Sequence, residues 1–566
     1  MGQRRLFLRL LVALLCCVAS RSHSLQLTNC NVSELSTLNN VESLTSLSLL
    51  HCNLPQVRAN LFQGYAQLLR LELSHCSLTD LAKSALNGLQ RLRRLSLAHN
   101  NISEIKSWSE ETLAGLSALD ASHNRIVQLA ALSFAAYPQL QELNLGHNLI
   151  TKLEPDAFHG LQHLKQLQLQ ENRLQQIDGK CFHGLPRLHS LALQHNQINH
   201  VAVAAFESNT HLRSLRLEFN QVSNMQFLQD PGLSRLVLLN LSRNALSNLA
   251  PLTFSQNVEL QYLDLSFNQL RQLDNDSFIG LDLLEHINVS HNNVDEIHGD
   301  CLEPLSTLQQ LDLGYNQLSS LPDQLFQTTT QLRSIDLTHN KLEKLPLHLL
   351  SQLIHLNRLN LAENRLDNAA WLQHLAAALN RLALRIDLSS NHIRSLNLSS
   401  LALFEHVYLA DNRWDCMWLT RNMLRTPPAT LSFDRSWPML SAWSEDLMNV
   451  RGIDCFDGEQ NRSIVLLDVG IARQQQSKSC NCEVNGDDIS PLTPPLTWPK
   501  IRTDRFDSRS VIIWMLVAIA LAFSGLRWGQ RFMDRKEVTK KLQKANDEQA
   551  NKVDEEAQRL RNGRER

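Results

Sequence analysis

One pattern governs this 566-residue chain: LxxLxLxxNxL, recurring every 24 residues. It reads Leu140, Leu143, Leu145, Asn148 and Ile150 in QLQELNLGHNLI. It returns as Leu260, Leu263, Leu265, Asn268 and Leu270 in ELQYLDLSFNQL. The asparagine recurs at Asn100, Asn124, Asn148, Asn172, Asn196, Asn220, Asn244, Asn268, Asn292, Asn316, Asn340 and Asn364, and Cys52 and Cys76 hold the same register upstream. Positions 52 to 364 are thirteen steps of 24 without a slip. Asn391 follows after 27 residues, Asn412 after 21, and Cys30 supplies a partial first turn. No unit this small buries its apolar side alone, so neighbouring units must stack. Length alone, at about 150 residues per domain, would suggest three or four domains; the period replaces them with one elongated array.

The spacing dictates the physics. The LxL core is a short strand with inward leucines, and the asparagine amide is expected to bond the backbone beside it, forming a ladder. Phe62, Phe134, Phe158, Phe182, Phe206, Phe254, Phe278 and Phe326 all lie ten residues after the ladder position and are expected to stack as a spine on the return path. About 16–17 turns, with strands about 4.8 Å apart, give an inner row of roughly 80 Å. The insertion Asp367–Leu384 spaces Trp371, Leu375, Leu379 and Leu382 as on a helix, which predicts a convex helix packed on the core.

The 24-residue unit with its return-path Phe resembles the "typical" extracellular leucine-rich repeat class. That resemblance implies an α/β solenoid, a horseshoe with a parallel inner β-sheet, used for binding rather than catalysis. DNRWDCMWL, with Asn412, Trp414, Cys416 and Leu419, resembles the C-terminal cap of such arrays. NVRGIDC, ending at Cys455, is similar to the cap common in insect extracellular proteins. The usual four-Cys N-terminal flank is missing, so the front of the core must be sealed otherwise.

The ends set the topology. Met1-Gly2-Gln3-Arg4-Arg5, a short apolar run and small residues at Ala19-Ser20 fit a secretory leader. Val511–Leu526 is uncharged and mostly apolar, bracketed by Arg509 and Arg527. As a helix it is slightly short for a bilayer, and snorkelling arginines make up the difference. The basic residues that follow place the C-terminus inside the cell. From Arg527 onward 12 Lys+Arg against 8 Asp+Glu give net +4, leaving about −6 for the rest of a chain of net −2. The expected organisation is a signal peptide (1–24), a repeat solenoid (25–414), a cysteine-containing cap (415–482), a Pro-rich stalk (483–509), one transmembrane helix (510–528) and a cytoplasmic tail (529–566). The localisation that follows is the plasma membrane, single-pass type I, repeats outside.

After leader removal nine cysteines remain. Cys30, Cys52 and Cys76 sit at the ladder position, and Cys181 and Cys301 just before the spine; all five are expected to be buried thiols, inert by burial. Cys416, Cys455, Cys480 and Cys482 are the disulfide candidates. Cys416–Cys455 is the favoured pair, and the connectivity stays open.

Candidate binding residues follow from the outward positions of the array. Histidine precedes the ladder residue at His51, His75, His99, His123 and His147 in five consecutive turns, and again at His195, His291 and His339. Such a row can bind a metal or respond to pH, or simply suit a rim position. A strand-centre column, Asp264, Asn288, Asp312, Asp336, Asn360 and Asp387, forms an acidic stripe suited to a cationic partner, or merely a solvated face. Arg70 and Arg94 face out nearer the front. Glycosylation sequons occur at Asn31, Asn101, Asn240, Asn275, Asn288, Asn397 and Asn461. Glycans at Asn240 and Asn288 would obstruct the middle of the concave face and direct a partner to the front turns, the last turns or a lateral face.

No nucleophile elbow, phosphate-binding Gly loop or HExxH is present, so catalysis is not expected. No cofactor is implied. Near-neutral charge argues against nucleic acid as partner. The reading is a cell-surface recognition protein: adhesion molecule, receptor or co-receptor for an extracellular protein ligand. Its topology also resembles that of transmembrane leucine-rich repeat immune proteins. Pairing with itself or another chain through the repeats or the cap cysteines is open, and the alternative is a structural matrix scaffold after shedding.

Overall fold

A computed structural model describes residues 23–30, 41–106, 108–379, 384–401, 403–423, 431–432, 448–450 and 453–455. All fall within the first of two units, Met1–Arg473. The LxL cores pair into one 18-stranded sheet. It runs in parallel from Ser24–Thr28, which pairs with Ser46–Leu50, to Leu431–Ser432, which pairs with His406–Tyr408. The first strand thus begins at the last residue assigned to the leader, and the sheet continues past position 414.

Register follows the period. Leu143 pairs with Leu119 on one side and Leu167 on the other. The 27- and 21-residue steps keep it, with Ile386 between Leu359 and Val407. Because side chains alternate across a strand, the flanking residues face out while Leu143 and Leu145 are buried.

The return path carries the spine. Phe134, Phe158, Phe182 and Phe206 stack at 5.8–6.2 Å between ring centroids. Each ring is fully buried, worth about 2–3 kcal/mol of apolar transfer. Where the row lacks phenylalanine, buried Trp108 fills the core on the neighbouring loop. In MQFLQDPGL the path tightens into the 3₁₀ turns Gln226–Gln229 and Pro231–Leu233. Gly232 is required there, since a Cβ would lie 1.8 Å from the Phe206 carbonyl oxygen. Buried Asp230 accepts the Phe206 and Gly232 N–H groups, both at 2.9 Å.

The ladder joins consecutive turns. Asn124 Nδ2 donates to Leu97 O in the preceding turn at 2.9 Å and to Ala121 O and Ser122 O in its own, both at 3.1 Å. Its Oδ1 accepts the Ile102 N–H at 3.0 Å. The same arrangement recurs down to Asn412, whose Nδ2 donates to Leu388 O and whose Oδ1 accepts from Ile393. One amide therefore satisfies backbone groups that would each cost about 1–3 kcal/mol if buried unpaired. At Cys76 a thiol makes the equivalent donation, to Leu49 O at 3.2 Å.

The insertion forms the helix Trp371–Leu379, with Trp371, Leu372, Leu375 and Ala376 buried. Leu382, the last residue of the expected stripe, lies outside the described residues. After the last ladder asparagine, Trp414 is buried and stacks on Trp418 at 5.2 Å. The helix Cys416–Met423 starts beside Asp415, whose carboxylate accepts the Trp418 N–H at 2.7 Å as an N-cap. Met448–Val450 and Ile453–Cys455 form an antiparallel pair.

The cysteine reading needs one correction. Cys30 and Cys52 are not free thiols; they form a disulfide across 22 residues. Their Cα atoms, one turn apart, lie 4.4 Å from each other, within bonding reach. This bridge ties together the first two described turns. Cys76, Cys181 and Cys301 are free and buried, as expected. Burial pushes the Cys181 thiol up to about 11 and that of Cys301 up to about 12. Cys416 is disulfide-bonded. Cys480, Cys482 and the expected membrane span lie outside the described residues. Among the described residues, no helix is long and apolar enough to cross a membrane.

Candidate binding faces

Every turn bends in the same way at the rim. The residue before each ladder position has a φ of 52 to 57°, from His51 through Glu171, Phe219, Arg243, Phe267 and Tyr315 to Asp411. That left-handed conformation costs an ordinary residue roughly 1–2 kcal/mol. Asn, Asp and His tolerate it best, which accounts for histidine at this position. The side chains then meet. His51, His75, His99, His123 and His147 stack in sequence at 4.0–4.7 Å between centroids. Burial, and next the charges of its histidine neighbours, lower the pKa of His75 and of His123. Among the described residues no group of three or more His, Cys, Asp or Glu is arranged to hold a metal ion.

Considering histidine alone missed the rest of this column. His195 stacks on Phe219 at 4.1 Å, and Phe267, His291, Tyr315 and His339 continue at 3.9–4.1 Å. The Arg243 guanidinium lies over Phe267 at 3.8 Å and over Phe219 at 4.9 Å, a cation–π sandwich. His339 closes the run against Glu363. Aligning the position before every ladder residue, whatever its type, would have revealed this.

The acidic stripe has a structural task as well as an outward charge. Asp264, Asp312, Asp336 and Asp387 each use one carboxylate oxygen to accept the N–H two residues on, all at 2.9 Å. Asn288 does the same at 2.9 Å and Asn360 at 3.2 Å. These are Asx turns where the chain leaves the strand. One oxygen is spent on the turn, and the second oxygen of Asp336 accepts from Asn360 Nδ2 at 3.1 Å. Asp264 pairs with Asn288, which pairs with Asp312, then Asp336, Asn360 and Asp387, so the column is contiguous. Arg70 and Arg94 pair with each other in a different outward column, in register with Tyr262 rather than Asp264.

In the last turns the column floors an open trough of about 1050 Å³. Asp312, Asp336, Asp387, Asp411 and Glu363 line it, with Tyr315, Tyr408, Arg358 and Arg385. Arg385 is engaged by Glu405. Burial, with further push from Asp336 and Asp264, raises the Asp312 carboxyl to about 6. The trough therefore holds carboxylates that repel one another.

The sequons scatter. Asn240 and Asn288 are half-buried on the inner sheet, each with Oδ1 engaged by a serine N–H at 2.9 Å. Asn101 is half-buried, and Asn275 and Asn397 are exposed. Asn31 and Asn461 lie outside the described residues.

A family pattern described as "Leucine rich repeat" matches overlapping stretches that together span residues 42–222 and 234–366, more than half of the chain. The chain belongs to the leucine-rich repeat family. This leucine-rich repeat chain matches no curated protein sequence. Its structure is similar to that of TLR13 in a complex with the single-stranded RNA ssRNA13, at 26% identity and a TM-score of 0.62, covering 74% of this chain and 62% of that one. It is also similar to Toll in the Toll–Spatzle complex of Drosophila, at 18% identity and a TM-score of 0.57, covering 69% and 61%. A leucine-rich repeat protein of Leptospira interrogans aligns at 27% identity and a TM-score of 0.52, covering 60% and 84%. The chain spans less than two thirds of the two Toll-type chains. With one of them in complex with RNA, the expected exclusion of nucleic acid has no support.

Proposed function

We propose that this chain is a cell-surface recognition protein, a receptor or co-receptor, whose last turns bind a cationic segment of an extracellular protein. The observation that carries this reading is the acidic trough around Asp312, whose carboxyl is raised by burial and by the nearby carboxylates of Asp336 and Asp264. Such a grouping is costly alone and favourable beside Lys or Arg, the usual signature of a site rather than of a scaffold. Similarity to the Toll-type chains, one of them bound to the protein ligand Spatzle, supports a recognition role. The leader-like N-terminus and the apolar run Val511–Leu526 support anchoring at the plasma membrane with the repeats outside. A glycan on Asn240 would keep partners off the centre of the inner sheet, and one on Asn288, beside Asp312, would confine a partner to the Asp336–Asp411 end of the trough. An immune role is the finer reading, resting on the cap resemblance.

The test is surface proximity labelling on cells expressing the full chain, compared with Asp312→Asn/Asp336→Asn/Asp387→Asn. Asparagine keeps each Asx turn and removes the charge. Loss of specific basic surface partners in the triple variant is expected. The same enriched proteins in both would refute the trough as the site.

A further inference from the structure

A lateral edge of the array carries a second charged feature, of opposite sign and in other turns. Lys165, His189 and Arg213 are neighbours on three successive turns: the His189 N–H donates to Lys165 O at 2.8 Å and the Arg213 N–H to His189 O at 2.9 Å. Two residues upstream of this row lie His163, Arg187, His211 and Arg235. The rows interlock. Arg187 Nη1 is 3.0 Å from His163 Nδ1, His211 Nδ1 is 3.2 Å from Pro186 O, and the rings of His189 and His211 lie 6.1 Å apart. Lys165, Arg187, Arg213 and Arg235 are exposed. Among the described residues none of these four enters an ion pair. The sign reverses just beyond, at Glu259 and Glu285 in the same two rows.

Four turns at about 4.8 Å extend over roughly 15 Å. A single small anion cannot neutralise that span, so the matching ligand is an extended polyanion. Its chemistry follows from what the patch lacks. Single-stranded nucleic acid is held by large aromatic platforms as well as by charge, and protein partners by Trp, Tyr and Arg anchors seated in desolvated pockets, whereas the cations of this edge are exposed. The exposed large apolar side chains of these turns, Val203 and Phe219, sit in other rows. What remains is recognition by cations and by imidazole hydrogen bonds to hydroxyls. We propose that the His163–Arg235 edge is a binding site for a sulfated polysaccharide. This site is independent of the acidic trough.

The experiment uses the full chain, solubilised and purified, on immobilised heparin at pH 7.5 with a salt gradient. Lys165→Glu/Arg187→Glu/Arg213→Glu is compared with Arg173→Glu/Arg271→Glu/Lys344→Glu, which changes net charge equally on exposed residues elsewhere. The native chain should be retained beyond physiological salt. The edge variant should elute far earlier, with at least a tenfold weaker heparin Kd, while the control elutes with the native chain. Because binding by several cations is salt-dependent, the edge variant should also show a shallower salt slope. A Lys165→Gln/Arg187→Gln/Arg213→Gln variant, expected to lose affinity to an intermediate degree, serves if charge reversal impairs folding. Equal losses in the edge and control variants, absence of retention of the native chain, or single-stranded RNA competing as well as heparin would each overturn the proposal.

Discussion

Replacing Asp312 with asparagine should stabilise the array at neutral pH. In the folded chain this carboxyl is pushed up to about 6 from 3.8, first by burial and then by Asp336 and Asp264. The proton is held more tightly in the folded state. Its stabilising contribution is therefore fully present below pH 3.8 and is lost as pH rises through about 6. Two units at about 1.36 kcal/mol each set an upper figure of about 3 kcal/mol. Asp312 is only half-buried, and solvent screening reduces this to about 1–2 kcal/mol. Asparagine loses nothing in exchange, because Asn288 and Asn360 make the same turn with their Oδ1 atoms. Repeat arrays open in sections, so a local readout is preferable to a global midpoint. Amide hydrogen exchange over residues 289–361 should show greater protection in the variant at pH 7.5 and none extra at pH 3.5. Lower protection at pH 7.5, or a difference independent of pH, would refute the reasoning. A cationic ligand would stabilise the same carboxylates, so the variant should also be the poorer binder.

Asn268→Ala orphans Leu241 O, Leu265 O, Ser266 O and the Leu246 N–H; a loss of about 3 kcal/mol is expected, read as faster exchange in the two adjoining turns. Cys52→Ser removes the bridge to Cys30 and should cost about 3 kcal/mol, seen as proteolysis confined to residues 23–54 while the central turns stay resistant. Burial and neighbouring charges lower the pKa of His75 and His123, so their stabilising contribution is present above pH 6.5 and lost on acidification. Protection factors around the row, corrected for intrinsic exchange, should fall between pH 7.5 and pH 5, and His75→Asn/His123→Asn should flatten that dependence. With thiols at about 11 and 12, Cys181 and Cys301 should resist alkylation at pH 8 until the chain is unfolded, as mass spectrometry of labelled peptides can check.

The repeat was legible because each ladder asparagine makes the same four hydrogen bonds, so the residue recurs in turn after turn, even where the step is 27 or 21 residues. The insertion helix and the burial of all eight phenylalanines followed from apolar spacing, while among the described residues the stack of spine rings runs only from Phe134 to Phe206. The Cys30–Cys52 bridge was not legible, because three successive ladder cysteines present the same local pattern. Only Cys30 and Cys52 bond, while the Cys76 thiol donates to Leu49 O instead. The acidic stripe was legible as a column, but its Asx turns were not, since spacing does not say which backbone N–H a carboxylate reaches. The stacked rim depends on a backbone twist. His, Phe, Arg and Tyr share it without sharing chemistry, and a search for one residue type breaks the column at Glu171 and Arg243. The basic edge was missed because its cations alternate between two rows.

The ladder also gives the array a direction in time. Each asparagine closes backbone groups of the turn before it, as Asn412 does for Leu388 O and the Ile393 N–H. A turn is therefore finished only by its successor. During synthesis, which delivers the N-terminal turns first, every new unit completes the one already made. After Asn412 the ladder residue gives way to buried Trp414 and the helix Cys416–Met423, and the next strand, Leu431–Ser432, closes on His406–Tyr408 without a ladder asparagine among the described residues.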